Sequence, residues 1–115
     1  MNGDIIRLKH ILLAIEEIAS YTQGVTPEQF SASSMIFSAC VRQVAIVGEA
    51  SARLSENLRN EHPEVPWKQI IGMRNIIIHD YFGVSIQFVW STIENNLPDL
   101  KTRIETILKD LEQQP

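Results

Sequence analysis

Between Ile36 and Leu54 the chain is apolar on almost every side of a helix: Ile36, Phe37, Cys40, Val41, Val44, Ala45, Val47, Gly48, Ala52 and Leu54 all fall there. A helix that is hydrophobic all round has to be surrounded. This segment therefore belongs at the centre of an assembly, and the rest of the chain has to cover it. Its start is marked by Thr26-Pro27-Glu28-Gln29. Thr26 suits an N-cap, Pro27 the first helical position, and Gln29 can close a capping box. The spacing predicts one long helix from there to about Arg59. Ala45, Gly48 and Ala52 lack bulk and leave room for another helix to approach closely.

The covering segments read as helices too. Over about Asp4 to Tyr21, Leu8, Ile11, Leu12, Ile15, Ile18 and Ala19 form one face, with Arg7, His10 and Glu17 away from it. Gly24 is a stop signal. His62, Pro63 and Pro66 punctuate the next turn, and Pro66 suits the opening of a third helix, Trp67 to about Asp80, ended by Gly83. Ser85 can cap a fourth helix through about Asn95, carrying Ile86, Val89, Trp90 and Ile93. Pro98 opens a last one with Leu100, Ile104, Ile107, Leu108 and Leu111, and the tail from Asp110 to Pro115 should fray. No stretch alternates with period two. The expected fold is all-α, an antiparallel bundle of about five helices, because the connections are short.

Composition bounds the rest. The 115 residues fit one domain, 1–115. A net charge of −4 argues against broad, nonspecific adhesion to nucleic acid but leaves room for a local basic cleft. Cys40 is the only cysteine, so no internal disulfide forms, and its apolar neighbours mark it as a core residue. The N-terminus does not resemble a secretory signal, and no apolar run is expected to reach membrane-spanning length. The expectation is a cytoplasmic protein with no membrane partner. His10, His62 and His79 have no ligand spacing, and Gly72 and Gly83 are isolated, so neither a metal nor a cofactor is expected. Glu16-Glu17 reads as a solvated face, and Trp67 and Trp90 as core or interface anchors.

One segment carries chemistry: Arg74-Asn75-Ile76-Ile77-Ile78-His79-Asp80-Tyr81. Trp67, Ile70, Ile71, Ile77, Ile78 and Tyr81 recur at helical spacing, and Arg74 falls inside that apolar stripe. A guanidinium keeps its proton. It therefore needs a partner, a wet cleft or a second chain, because an unpaired buried charge is costly. Lys68, Gly72, Asn75 and His79 make a separate polar stripe. Arg74 and His79 lie about 140° apart around the axis. They meet on one small group only if the helix bends at His79 or a second subunit completes the site. Such a set suits phosphodiester cleavage in RNA. An imidazole takes the ribose 2′-hydroxyl proton, a second group protonates the leaving 5′-oxygen, and Arg74 stabilises the charge on phosphorus. Asn75 can orient His79 or the phosphate, and Tyr81 can bond the phosphate or stack on a base. Structural readings stand beside these: Arg74 paired with Glu49 or Glu56, His79 at a helix C-terminus, and Tyr81 as a core aromatic.

Arg74-x4-His79-x-Tyr81 resembles the signature of the HEPN superfamily in the form carried by HepT-like toxins. The likeness extends over nearly the whole chain: Arg7-Leu8-Lys9-His10-Ile11, Gly48-Glu49-Ala50, Pro63-Glu64-Val65-Pro66-Trp67, Gly72-Met73-Arg74-Asn75, Tyr81-Phe82-Gly83-Val84, Trp90-x-x-Ile93 and Leu97-Pro98. Ser85 departs from it, standing where an acidic residue is common. The resemblance implies a HEPN-like helical homodimer that cleaves RNA without metal. Arg74 and His79 would be the catalytic pair in a cleft between protomers, with Asn75 in support. It implies a partner as well, a minimal (MNT-type) nucleotidyltransferase antitoxin that adenylylates Tyr81 and silences the ribonuclease. The alternative is a non-catalytic helical binding partner and substrate of such a nucleotidyltransferase.

Overall fold

The computed structural model describes the backbone of residues 2–79 and 85–114 and the side chains of 3–75 and 85–114. Helix α1, Asn2–Thr22, is followed by α2, Pro27–Ala32, and α3, Ser34–Ala52. Then come α4, Glu56–Glu61, and α5, Trp67–His79. Helix α6, Ile86–Ser91, runs through a π-helical turn, Thr92–Asn96, into α7, Leu97–Glu112. No strand occurs among the described residues, and the fold is an all-α bundle of the HEPN type.

Helix α1 buries Leu8, Ile11, Ala14, Ile15 and Ile18. Leu12 is only half-buried and Ala19 is exposed, so the buried stripe is narrower than the spacing predicts. Gly24 stops the helix in a left-handed conformation, φ 71°, which glycine adopts without strain. The capping box forms as expected. Gln29 N donates to Thr26 Oγ1 at 3.1 Å, and Thr26 N to Gln29 Oε1 at 3.0 Å.

The long helix expected to reach Arg59 is three helices. Ser33 leaves helical geometry at φ −110°, ψ 101°, and its hydroxyl accepts from Ile36 N at 3.1 Å. A serine offers the backbone this competing bond, so it favours caps over helix interiors. The second break, at Arg53–Ser55, is fixed from outside. The buried Asp4 carboxylate accepts from Ser55 N at 2.8 Å and from Ser55 Oγ at 2.7 Å, while Ser55 caps α4 through Leu58 N.

Helix α3 lies at the centre, packed against both α1 and α5. At 19 residues and a mean hydropathy of 1.2 it is long and apolar enough to cross a membrane, contrary to the expectation that no run would be. Its buried Cys40, Val41, Val44, Val47, Gly48 and Ala50 instead belong to the bundle core. Burial pushes the Cys40 thiol up to about 11. Phe30 is fully buried, its ring 4.8 Å from Trp90 and 6.0 Å from Phe37. Trp67 is buried as well and donates from its indole to His62 O at 3.0 Å.

The fourth and fifth expected helices are not separated by a turn. Pro98 has no N–H to give, so a regular ladder would lose a bond there. The chain widens into the π-helical turn instead, and Thr92 Oγ1 donates to Phe88 O at 2.9 Å. Helix α7 buries Leu97, Leu100, Ile104, Ile107 and Leu108. It persists to Glu112, further than a frayed tail would, and Glu112 lies 3.4 Å from Lys9 on α1.

Candidate functional site

Helix α5 buries Trp67, Ile70 and Met73 and brings Arg74 to the edge of that seam. The approach to α3 is unusually close. A Cβ added at Gly48 would meet Arg74 Cβ at 2.5 Å, Ile70 O at 3.1 Å and Arg74 Cα at 3.3 Å. No residue but glycine fits there, as the small residues of α3 suggest. The gap in α3 thus fixes where the Arg74 side chain leaves the bundle.

Once out, the guanidinium is held from two sides. Nη1 donates to Glu49 Oε2 at 2.8 Å. Nε and Nη2 both donate to Asn75 Oδ1, at 3.1 and 2.7 Å. Sequence spacing leaves Asn75 to orient His79 or a phosphate; the structure puts its carbonyl oxygen on Arg74. Glu49 is shared, since Arg53 Nε also donates to it at 3.0 Å. These two donors, Arg74 first, hold the Glu49 carboxyl below the usual carboxylate range.

The pair is not sealed off. Side-chain exposure is 26% for Arg74 and 42% for Glu49. A purely structural buried bridge would be closed to solvent, and this one is partly exposed. Open grooves flank it. One of about 420 Å³ lies between α1 and α3, lined by Ile6, Arg7, His10, Ile46, Glu49 and Arg53 among others. A second of about 610 Å³ lies between α4 and α5 and is lined by Arg59, Lys68, Gly72 and Asn75 among others.

His79 is the last residue of α5, four positions beyond Asn75, and its side chain lies outside the described residues. So does Tyr81, together with Asp80, Gly83 and the isoleucines at 76–78. The described part of the site is Arg74, Asn75 and Glu49. Spacing gave Glu49 only as one of two possible partners. Arg59 was not foreseen, because its place in the groove depends on how α4 folds back on α5. No group of three or more His, Cys, Asp or Glu side chains gathers among the described residues.

The chain is an all-helical bundle that holds an arginine by an amide and a carboxylate at an open surface. Comparison with known proteins narrows that description. Residues 11–107 match the family described as Ribonuclease HepT-like. "Putative RNase TTE0752" of Caldanaerobacter subterraneus is 38% identical over 102 residues, 89% of this chain and 91% of its own length. "Probable ribonuclease HepT" of Thermococcus cleftensis is 35% identical over 102 residues, 89% of this chain and 93% of its own. No solved structure gives a significant match. The chain belongs to the HepT-like ribonuclease family.

Proposed function

We propose that this chain is a metal-independent endoribonuclease toxin of a toxin–antitoxin pair, acting as a homodimer with Arg74 and His79 as its catalytic residues. The observation that carries this is the guanidinium of Arg74, oriented by Asn75 and Glu49 yet open to solvent beside the end of α5. In the cleavage step the ribose 2′-oxygen bonds to phosphorus as its proton passes to a His79 imidazole. The bond from phosphorus to the 5′-oxygen breaks, and that oxygen takes its proton from a second group, a second His79 where one is present and water where it is not. Arg74 donates to the phosphoryl oxygens as charge builds on them. No step needs a metal.

Two considerations favour a second copy. Arg74 and His79 diverge by about 140° on one helix, and a two-fold axis offers two of each. Ile6 and Leu13 are large apolar residues left 53% and 58% exposed on α1, and Ile6 lines the groove that reaches Glu49. Exposed apolar surface of this kind suits a protein interface.

The test is RNA cleavage and growth arrest by wild type, Arg74→Ala and His79→Ala, with EDTA present. Cleavage by wild type alone is the expected result. Full activity in either variant, or loss of wild-type activity with EDTA, overturns it.

The regulatory part rests on the resemblance. An MNT-type nucleotidyltransferase antitoxin adenylylates Tyr81, and the added phosphate and nucleotide fill the cleft and occupy Arg74. Intact mass after incubation with such an enzyme and ATP should rise by one or more adenylyl groups in wild type and not in Tyr81→Phe. A protein that is adenylylated but never cleaves RNA, before or after removal of the modification, would be the non-catalytic partner instead.

A further inference from the structure

Helix α5 carries one glycine, Gly72, and no packing contact explains it. Gly48 on α3 shows what such a contact looks like. Among the described residues, a Cβ added at Gly72 would meet nothing within 4 Å. After proline, glycine is the poorest residue for a helix interior, so open space at this position calls for another cause. Gly72 lies on the floor of the 610 Å³ groove with Arg59, Lys68 and Asn75. It also lines a separate groove of about 460 Å³ on its other flank, with Gln69, Phe88 and Asn96. Gly72 is thus a saddle between two grooves of different chemistry.

The first groove is cationic on balance, with Arg59 and Lys68 against Glu56. Arg59 Nε is buried and makes no hydrogen bond among the described residues. Arg59 as a whole is only half-buried and lines the groove, so the outer nitrogens of its planar fork, not the enclosed Nε, are what a phosphate would meet. The second groove offers amides, and a Phe88 ring left 37% exposed. Aromatic faces stack unpaired bases, and amides read their edges.

We infer that a single strand of RNA crosses α5 at Gly72, its phosphates on Arg59 and Lys68 and a base against Phe88. This rests on the ribonuclease reading and extends it from the reacting phosphate to the neighbouring nucleotides. Seven residues separate Gly72 from His79, about 10 Å along the axis, so a strand held at the saddle leads toward the end of α5. The missing side chain lets the backbone of the strand come down onto the helix. Arg59 and Lys68 position the strand and take no part in bond breaking.

The experiment is the binding of a fluorescein-labelled single-stranded RNA, followed by anisotropy across a salt series. It uses the cleavage-silenced His79→Ala protein as parent. Added to that parent are Arg59→Ala, Lys68→Ala, Gly72→Phe and, as a charge-matched control on α7, Lys109→Ala. Arg59→Ala and Lys68→Ala should each weaken binding roughly 5-fold or more and lower the slope of log K against log salt by about 0.7, one phosphate contact each. Gly72→Phe should abolish binding while keeping the helical circular dichroism of its parent, because its ring enters open space. Affinity and salt slope equal to the Lys109→Ala control overturn the inference, as does a parent that binds no RNA at low salt. Variants that keep RNA affinity but lose a nucleotidyltransferase partner would overturn it too, and would reassign the groove to protein contact. Wild-type cleavage, measured separately, decides the ribonuclease reading: loss of binding without any cleavage would sink that reading and leave this one standing.

Discussion

Gly48 of α3 lies directly beneath Arg74 of α5, with room for no side chain: a Cβ there would come within 2.5 Å of Arg74 Cβ. This close approach of α5 to α3 and the exit point of the Arg74 side chain are therefore the same place. A backbone obstacle, Ile70 O at 3.1 Å, sits beside it and cannot rotate away. Gly48→Ala should destabilise the protein by about 1–3 kcal/mol, the usual cost of overpacking, and push Arg74 out of register with Glu49. Gly72→Ala, with open space to enter, should be neutral or gain up to about 1 kcal/mol in helix propensity. Urea denaturation of both variants checks this; equal effects would mean that α5 can slide away from α3 at no cost.

The ion pair makes its own prediction about pH. Glu49 has a carboxyl pKa lowered by hydrogen bonds from Arg74 and then Arg53. A group whose folded pKa is depressed adds stability that is fully present above its unfolded pKa, about 4.3 for glutamate. That stability is lost as pH falls through the folded value. Glu49→Gln should accordingly melt below wild type at neutral pH by a small margin, since the pair is exposed. The margin should close in acid. A gap in melting temperature that stays constant from neutral pH to pH 3 would show that the pair adds nothing.

Asp4 is the second long-range polar anchor. It accepts from both the backbone and the hydroxyl of Ser55, fifty-one residues away, and is itself buried. Asp4→Ala should cost about 1–3 kcal/mol, the penalty for stranding half-buried donors, and should loosen α4 first. Amide exchange at Leu58, whose N–H is capped by Ser55 Oγ, reads that loosening directly. Unchanged protection there would contradict it.

Cys40 offers a probe of the core. Its thiol is fully buried and pushed up to about 11, so almost none is thiolate at neutral pH. Reaction with a disulfide reagent should wait on unfolding and follow the unfolding rate as urea is raised. Rapid modification of the native protein would mean that α3 is far less enclosed than its packing implies.

Much of this fold was legible because its signals are local. The Thr26–Gln29 box, the Ser85 cap, the Gly24 stop and the small residues of α3 each act within a turn or two, and each appears where the spacing put it. The two breaks in the long helix were not legible. Ser33 competes with its own backbone within an otherwise helical pattern, and the break before Ser55 is held by Asp4 from the other end of the chain. The π-helical turn was missed for a similar reason: Pro98 reads as a stop, and a widened helix can absorb it. At the site, the charge of Arg74 in an apolar stripe was visible, and Glu49 was one of two candidates for it. The bond from Arg74 to Asn75 Oδ1 was not legible, because a helical wheel gives directions and cannot show a side chain folding back on its neighbour.

The most direct measurement concerns the composite cleft. Arg74→Ala and His79→Ala proteins, each inactive alone, are co-expressed with different tags and the mixed dimer is purified. One intact Arg74 and one intact His79 then come from different protomers. Partial RNA cleavage by the mixed dimer, absent from both parent dimers, is the expected result. A mixed dimer as inactive as its parents, though stably assembled, would contradict a site shared between two copies of α5.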